Sequence, residues 1–165
     1  NSSCLANYYK MENLDLGNFS VEYYVVVYTK GSCRGNGGIN AIAGIGVWFG
    51  ENHSLNVQRR ISGRATNHIA DIQACVHAVE IAYENGIKNL KIKTDCRYVI
   101  NAMNKWIHVW KTNGWKKTNT NKDVRNKDDF IELDDACQRF DVVWELVKRK
   151  ENPACKLARN ATSLQ

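Results

Sequence analysis

The sequence predicts an α/β domain, a mixed sheet with helices on its faces, and three observations carry that expectation. Val21 to Thr29 (VEYYVVVYT) is a run of β-branched and aromatic residues, the pattern of a buried central strand. Two more strand-like runs follow after short connections, which makes an antiparallel meander. Beyond them helical and strand patterns alternate, which calls for further strands in the same sheet with helices packed against it. The 165 residues are enough for one domain. Residues 1–20 read as a polar N-terminal extension and 21–165 as a single domain without internal repeats.

Each element has its own justification. Gly31 to Gly38 is rich in glycine and reads as a turn after the first strand. Ala41 to Phe49 reads as the second strand and Leu55 to Ile61 as the third. Thr66 is an N-cap candidate for a helix running to about Asn85, with Gly86 as its stop. Ile69, Ile72, Val76, Val79 and Tyr83 share one face of that helix. Leu90 to Thr94 alternates as a fourth strand and ends at Asp95. A short helix is expected from Arg97 to about Asn104, and another from Asp128 to Phe140. Val142 to Val147 reads as the fifth strand. Pro153 suits the first turn of a closing helix.

Hydrophobic residues make up 44% and charged residues 24%, which excludes a disordered chain. No apolar run reaches the roughly 18 residues of a membrane span. The net charge of +6 reflects either a solvated surface or an anionic partner such as nucleic acid. Much of the excess lies between Lys105 and Lys127, where Lys105, Lys111, Lys116, Lys117, Lys122, Arg125 and Lys127 are interleaved with Trp106, Trp110 and Trp115. Aromatic faces among cations suit a nucleic-acid groove. A solvated charge run with tryptophans in the core explains the same residues. Asp95, at the carboxyl end of a strand, lies at the edge where open α/β sheets bind ligands. Asp71 lies on the first helix. Together they suit a shared metal ion; a helix cap and a solvated helix residue are the structural alternative.

The six cysteines (4, 33, 75, 96, 137 and 155) form no CxxC pair, so a zinc site is not expected. Sequons occur at Asn1, Asn18, Asn52 and Asn160, at termini or expected loops, and the chain opens on Asn1 rather than Met. These features predict a removed leader or other segment and a secreted or extracellular glycoprotein. A nuclear or mitochondrial location is the alternative.

Taken together, YTKGSCRGNGG (28–38), AGIGVWFG (43–50), GRATNHIADIQA (63–74), KTDCRYVIN (93–101), WIHVWKTNGWK (106–116) and VRNKDDF (124–130) resemble the catalytic domain of type 1 ribonuclease H. The resemblance covers about Val25 to Arg159. It implies the ribonuclease H-like fold: a five-stranded mixed sheet, three antiparallel strands then parallel additions, flanked by helices and carrying a basic handle. It also implies cleavage of the RNA strand of RNA/DNA hybrids with two Mg2+ ions.

The family's four metal-binding carboxylates can be followed position by position. The first, after Tyr-Thr on the central strand, is replaced by Lys30. The helix glutamate corresponds to Asp71, and the aspartate ending the fourth strand is Asp95. The last, on the closing helix, aligns with Cys155. Two-metal cleavage needs carboxylates around ions about 3.5–4 Å apart, and magnesium has little affinity for a thiol. The resemblance therefore implies a site with no intact catalytic set and no expected cofactor, with Lys30 paired to Asp71 and Asp95 in the ions' place. The loop before the closing helix lacks the family's mobile histidine and reads Val147-Lys-Arg-Lys-Glu-Asn-Pro153.

The substrate-contacting positions are kept more fully. Asn36 and Asn67 match residues that contact RNA through the minor groove. Arg64, Thr66 and Asn126 match a pocket for a DNA phosphate. Trp106 matches the ring that packs on deoxyribose, Tyr98 replaces a neighbouring aromatic, and Trp110 lies one helical turn beyond. In this fold Cys33, Cys96 and Cys155 lie near the site. A disulfide across it, and one from Cys4 to Cys137, are the oxidised alternative to free thiols, which Cys75 suits best.

Three functional readings follow. The first is an inactive ribonuclease H-like protein that holds RNA/DNA hybrid or another duplex. The second is a secreted scaffold whose partner is another protein or a second copy of itself. The third is a weak metal-dependent ribonuclease H acting through Asp71 and Asp95.

Overall fold

The computed structural model describes residues 8–12 and 21–164. Strands β1 (Tyr8–Glu12), β2 (Val21–Arg34), β3 (Ile42–Trp48) and β4 (Val57–Ile61) come first, followed by helix α1 (Asn67–Glu84) and strand β5 (Asn89–Thr94). The chain then forms α2 (Arg97–Asn101), a π-helical turn (Ala102–Trp106), α3 (Ile107–Thr112), α4 (Lys127–Cys137), β6 (Asp141–Leu146) and α5 (Ala154–Ala161). The sheet order is β4-β3-β2-β5-β6, with β2, β3 and β4 antiparallel and β5 and β6 added in parallel. This is the mixed five-stranded sheet the sequence predicts. A sixth strand comes from the N-terminal extension: β1 pairs antiparallel with the first half of β2, Tyr8 opposite Val25 and Glu12 opposite Val21.

The main core lies between the sheet and α1. Val25 and Val27 of β2, Val47 of β3, and Leu90 and Ile92 of β5 are buried with Ile72, Val76 and Val79 of α1 and Phe130 and Leu133 of α4. Their period of two along the strands and three to four along the helices is the patterning that buries one sheet face. Thr66 caps α1 as expected, its hydroxyl accepting from the Ile69 N–H at 3.1 Å. Gly86, with φ +71°, follows the helix. The opposite face of β3 is covered by α5, whose Ala154, Ala158 and Ala161 are fully buried. Gly44 and Gly46 permit this contact, since a Cβ on Gly46 would sit 2.4 Å from the Ala154 carbonyl oxygen.

Two elements differ from the sequence expectation. β2 does not turn at Gly31 but continues to Arg34, paired with β3 throughout. A Cβ on Gly31 would lie 2.1 Å from the backbone nitrogen of Asp71, so this glycine serves close packing of α1 on the strand rather than a turn. The helix expected to end near Asn104 runs on through the π turn to Thr112. Among the described residues no helix is long and apolar enough to cross a membrane.

Candidate active site

The site is built at the carboxyl end of β5, where its parallel pairing with β2 ends with Thr29 opposite Thr94. The next residues, Lys30 and Asp95, are therefore neighbours. The Lys30 ammonium donates to Asp95 Oδ2 at 3.1 Å and lies 3.9 Å from Asp71 Oδ1. Asp71 reaches the strand from the second turn of α1 and accepts from the Gly31 N–H at 2.7 Å. All three side chains are largely withdrawn from solvent, 15% exposed for Lys30 and 7% for each carboxylate.

Burial dominates the electrostatics. Desolvation pushes the Asp71 carboxyl above its usual range, against the opposing pull of Lys30 and the Gly31 N–H. Desolvation alone would lower Lys30, but the Asp71 and Asp95 carboxylates reverse that and hold it above its ordinary value.

A residue that the sequence reading passed over completes the cluster. Asn152 donates its side-chain amide to Asp95 Oδ1 and to the Thr29 carbonyl, both at 3.0 Å. Its own oxygen accepts from the Ala154 N–H at the start of α5. The Asn-Pro pair just before a helix was the available signal, since asparagine is a favoured cap and proline a favoured first-turn residue. Cys155, in the first turn of α5, donates its thiol to the Arg149 carbonyl at 3.6 Å. Burial and the nearby Asp95 carboxylate push that thiol's pKa up.

The hard oxygen donors that the cleft offers a divalent ion are the Asp71 and Asp95 carboxylates. Among the described residues no three His, Cys, Asp or Glu side chains gather to hold a metal. Asp71 Oδ1 and both oxygens of Asp95 are already engaged, by Gly31, Lys30 and Asn152.

The cysteine expectation is corrected in part. Cys33, Cys96 and Cys155 are free thiols, so no disulfide crosses the site, and Cys137 is free as well. Cys4 lies outside the described residues. Cys75 is fully buried and within 3.4 Å of the Thr29 hydroxyl. Asn1 and Asn18 also lie outside the described residues. Asn52 is exposed in a turn with φ +51°. Asn160 is exposed but belongs to the last turn of α5 rather than to a loop.

The residues expected to contact a duplex spread outward from this cleft. The Asn36 oxygen accepts from the Asn67 N–H, and the Asn67 oxygen accepts from the Cys33 N–H, both at 2.9 Å. These two asparagines join the β2 end to the start of α1. Arg64 and Asn126 line a second depression of about 650 Å³ between β4 and α4. Thr66 is used as the helix cap beside it. Asn126 has φ +57° and donates to the Tyr98 hydroxyl at 3.2 Å.

From Tyr98 a chain of rings leads away from the cleft. His68 stacks on Tyr98 at 4.3 Å between centroids, Tyr98 meets Trp106 at 6.0 Å, and Trp106 meets Trp110 at 5.9 Å. Trp110 packs on Trp115 and Phe130 and belongs to the core margin. Trp106 is 39% exposed. Beside it, Lys111, Lys116 and Lys127 have carboxylate partners. Among the described residues Lys105, Lys117, Lys122 and Arg125 form no salt bridge, so the handle keeps a surplus of unpaired cations.

Comparison with known proteins agrees with this architecture. Rat ribonuclease H1 is 48% identical over 120 residues, 73% of this chain and 42% of the relative. The chain thus spans less than half the length of that mammalian relative. Ribonuclease H of Clostridium botulinum is 35% identical over 145 residues, 83% of this chain and 94% of the relative. Two solved structures share the fold. LC9-RNase H1, a type 1 RNase H with the type 2 active-site motif, matches with a TM-score of 0.63 at 24% identity, over 84% of this chain and 71% of that one. LC11-RNase H1 in complex with RNA/DNA hybrid matches with a TM-score of 0.60 at 22% identity, over 84% and 96%. The RNase H family model matches residues 22–161, nearly the whole described domain, and on these grounds the chain belongs to the ribonuclease H family.

Proposed function

We propose that this chain grips RNA/DNA hybrid without cutting it. The observation that carries the reading is the Lys30 ammonium, 3.1 Å from Asp95 and 3.9 Å from Asp71. The family uses Mg2+, which takes hard oxygen ligands in near-ideal octahedral geometry. An ammonium about 4 Å from a divalent ion repels it by about 8 kcal/mol at an effective dielectric of about 20. A neutral thiol at position 155 offers little in return. The residues present therefore do not fit a magnesium pair.

Gripping has separate support. The exposed Trp106 face and the unpaired handle cations are suited to sugar and phosphate. Arg64 and Asn126 line a depression of a size to take a phosphate. LC11-RNase H1, which shares the fold, was solved with RNA/DNA hybrid.

The test is a gel-shift titration with labelled RNA/DNA hybrid in magnesium at two salt concentrations. The reading expects a shift that weakens steeply with salt and an RNA strand that stays intact. Cleavage that disappears in Asp95→Asn would overturn it, as would the absence of any shift at low salt.

A further inference from the structure

We propose that the cleft binds a backbone phosphate directly, on Lys30, Arg97 and Arg149, without a metal ion. This deepens the proposed function and rests on it. The cleft is open and holds about 570 Å³. Three cations line it, Lys30 from β2, Arg97 from the start of α2 and Arg149 from the turn before α5, against the two carboxylates Asp71 and Asp95. Three of the four carboxylate oxygens are already engaged: Asp71 Oδ1 takes the Gly31 N–H, and Asp95 takes Lys30 on one oxygen and Asn152 on the other.

The cations are less committed. An ammonium has three N–H donors. Lys30 spends one on Asp95, and its contact with Asp71, at 3.9 Å, is beyond hydrogen-bond length. Arg97 and Arg149 are exposed and have no carboxylate partner among the described residues. The Cys155 thiol, on the aligned position of a family carboxylate, holds the Arg149 carbonyl at 3.6 Å and so ties that turn to the start of α5. Two exposed arginines lining the same cleft as the Lys30 ammonium are a donor set for a phosphodiester, whose oxygens accept charge-assisted hydrogen bonds. Where a two-metal enzyme neutralises the phosphate with ions, this chain would do it with its own side chains.

The consequence is affinity that does not depend on divalent ions. The experiment is fluorescence anisotropy with labelled RNA/DNA hybrid, in EDTA and in magnesium at matched ionic strength. It compares the unsubstituted chain, Arg97→Gln with Arg149→Gln, Lys30→Gln, and Lys88→Gln as a charge control at the other end of β5. Equal affinity of the unsubstituted chain in both buffers is expected. The double arginine variant, whose substitutions are at exposed positions, should bind about tenfold or more weakly, with a salt slope shallower by roughly one to two. Lys88→Gln should change affinity less than threefold, roughly one contact's electrostatic share.

Binding that requires magnesium would overturn the inference, as would a double arginine variant no weaker than Lys88→Gln. Either leaves hybrid gripping itself standing. Failure of the unsubstituted chain to bind in either buffer removes the proposed function and this inference together. Lys30→Gln, checked for folding by circular dichroism, should also weaken binding. If it folds and binds unchanged, Lys30 does not touch the phosphate and the assignment to all three cations falls.

Discussion

The Asn152 amide donates to Asp95 Oδ1 at 3.0 Å while the Asn152 oxygen receives the Ala154 N–H. One buried side chain thus fixes a carboxylate of the cleft and starts the helix that covers β3. Asn152→Ala would orphan the Thr29 carbonyl, loosen Asp95 and uncap α5. A stability loss of about 2–4 kcal/mol is expected in urea unfolding. Asn152→Asp keeps a capping oxygen but sets a second carboxylate against Asp95, so it should also destabilise. If both variants unfold at the unsubstituted midpoint, the amide is not holding the site.

The exposed and packed tryptophans should separate binding from stability. Trp106, at 39% exposure, is available to a duplex, whereas Trp110 is wedged against Phe130 and Trp115. Trp106→Ala should weaken hybrid binding by about fivefold to a hundredfold, about 1–3 kcal/mol for a lost stacking face, with little change in melting temperature. Trp110→Ala should cost about 2–4 kcal/mol of stability through the cavity it leaves. Equal stability losses from the two would contradict the distinction.

Much of this fold was legible because patterning and packing agree. The valines of β2, the Thr66 cap and the Gly86 stop each have a local cause that survives in the structure. Gly31 was misread because a glycine in sequence signals a turn, while here it permits α1 to approach to van der Waals contact. The continuation of the helix to Thr112 was missed because the π turn breaks the 3.6-residue rhythm between Tyr98 and Trp106. In the cleft, Lys30, Asp71, Asp95 and Cys155 are legible because they sit within or beside family motifs. Asn152 is not, because its role depends on a contact 57 residues away with Asp95.

The buried thiols predict a descending alkaline limb of stability. Burial pushes Cys96 and Cys137 up to about 12, from 9.0, and pushes Cys75 up as well. Over that interval the folded chain retains protons the unfolded chain has released. Stability is therefore full below pH 9 and falls as pH rises towards 12, by up to about 1.4 kcal/mol per pH unit per thiol. Lys30 adds to the same limb, because its folded value is raised by its carboxylates and the pairing is lost as pH rises through it. Urea midpoints under reducing conditions between pH 8 and 11 should fall, and Cys137→Ala should flatten the slope. A midpoint that rises over this range would contradict the burial of these thiols.

The account turns on Lys30 standing where the family places magnesium ions. The direct measurement is a thermal melt with increasing magnesium at constant ionic strength, on the unsubstituted chain and on Lys30→Asp combined with Cys155→Asp. A specific ion stabilises the folded state by mass action, by about 2.7 kcal/mol at a hundred times its dissociation constant. The account predicts no saturable shift for the unsubstituted chain and a magnesium-dependent rise for the double variant, where carboxylates replace the ammonium and the thiol. A saturable rise in the unsubstituted chain, lost in Asp95→Asn, would contradict it.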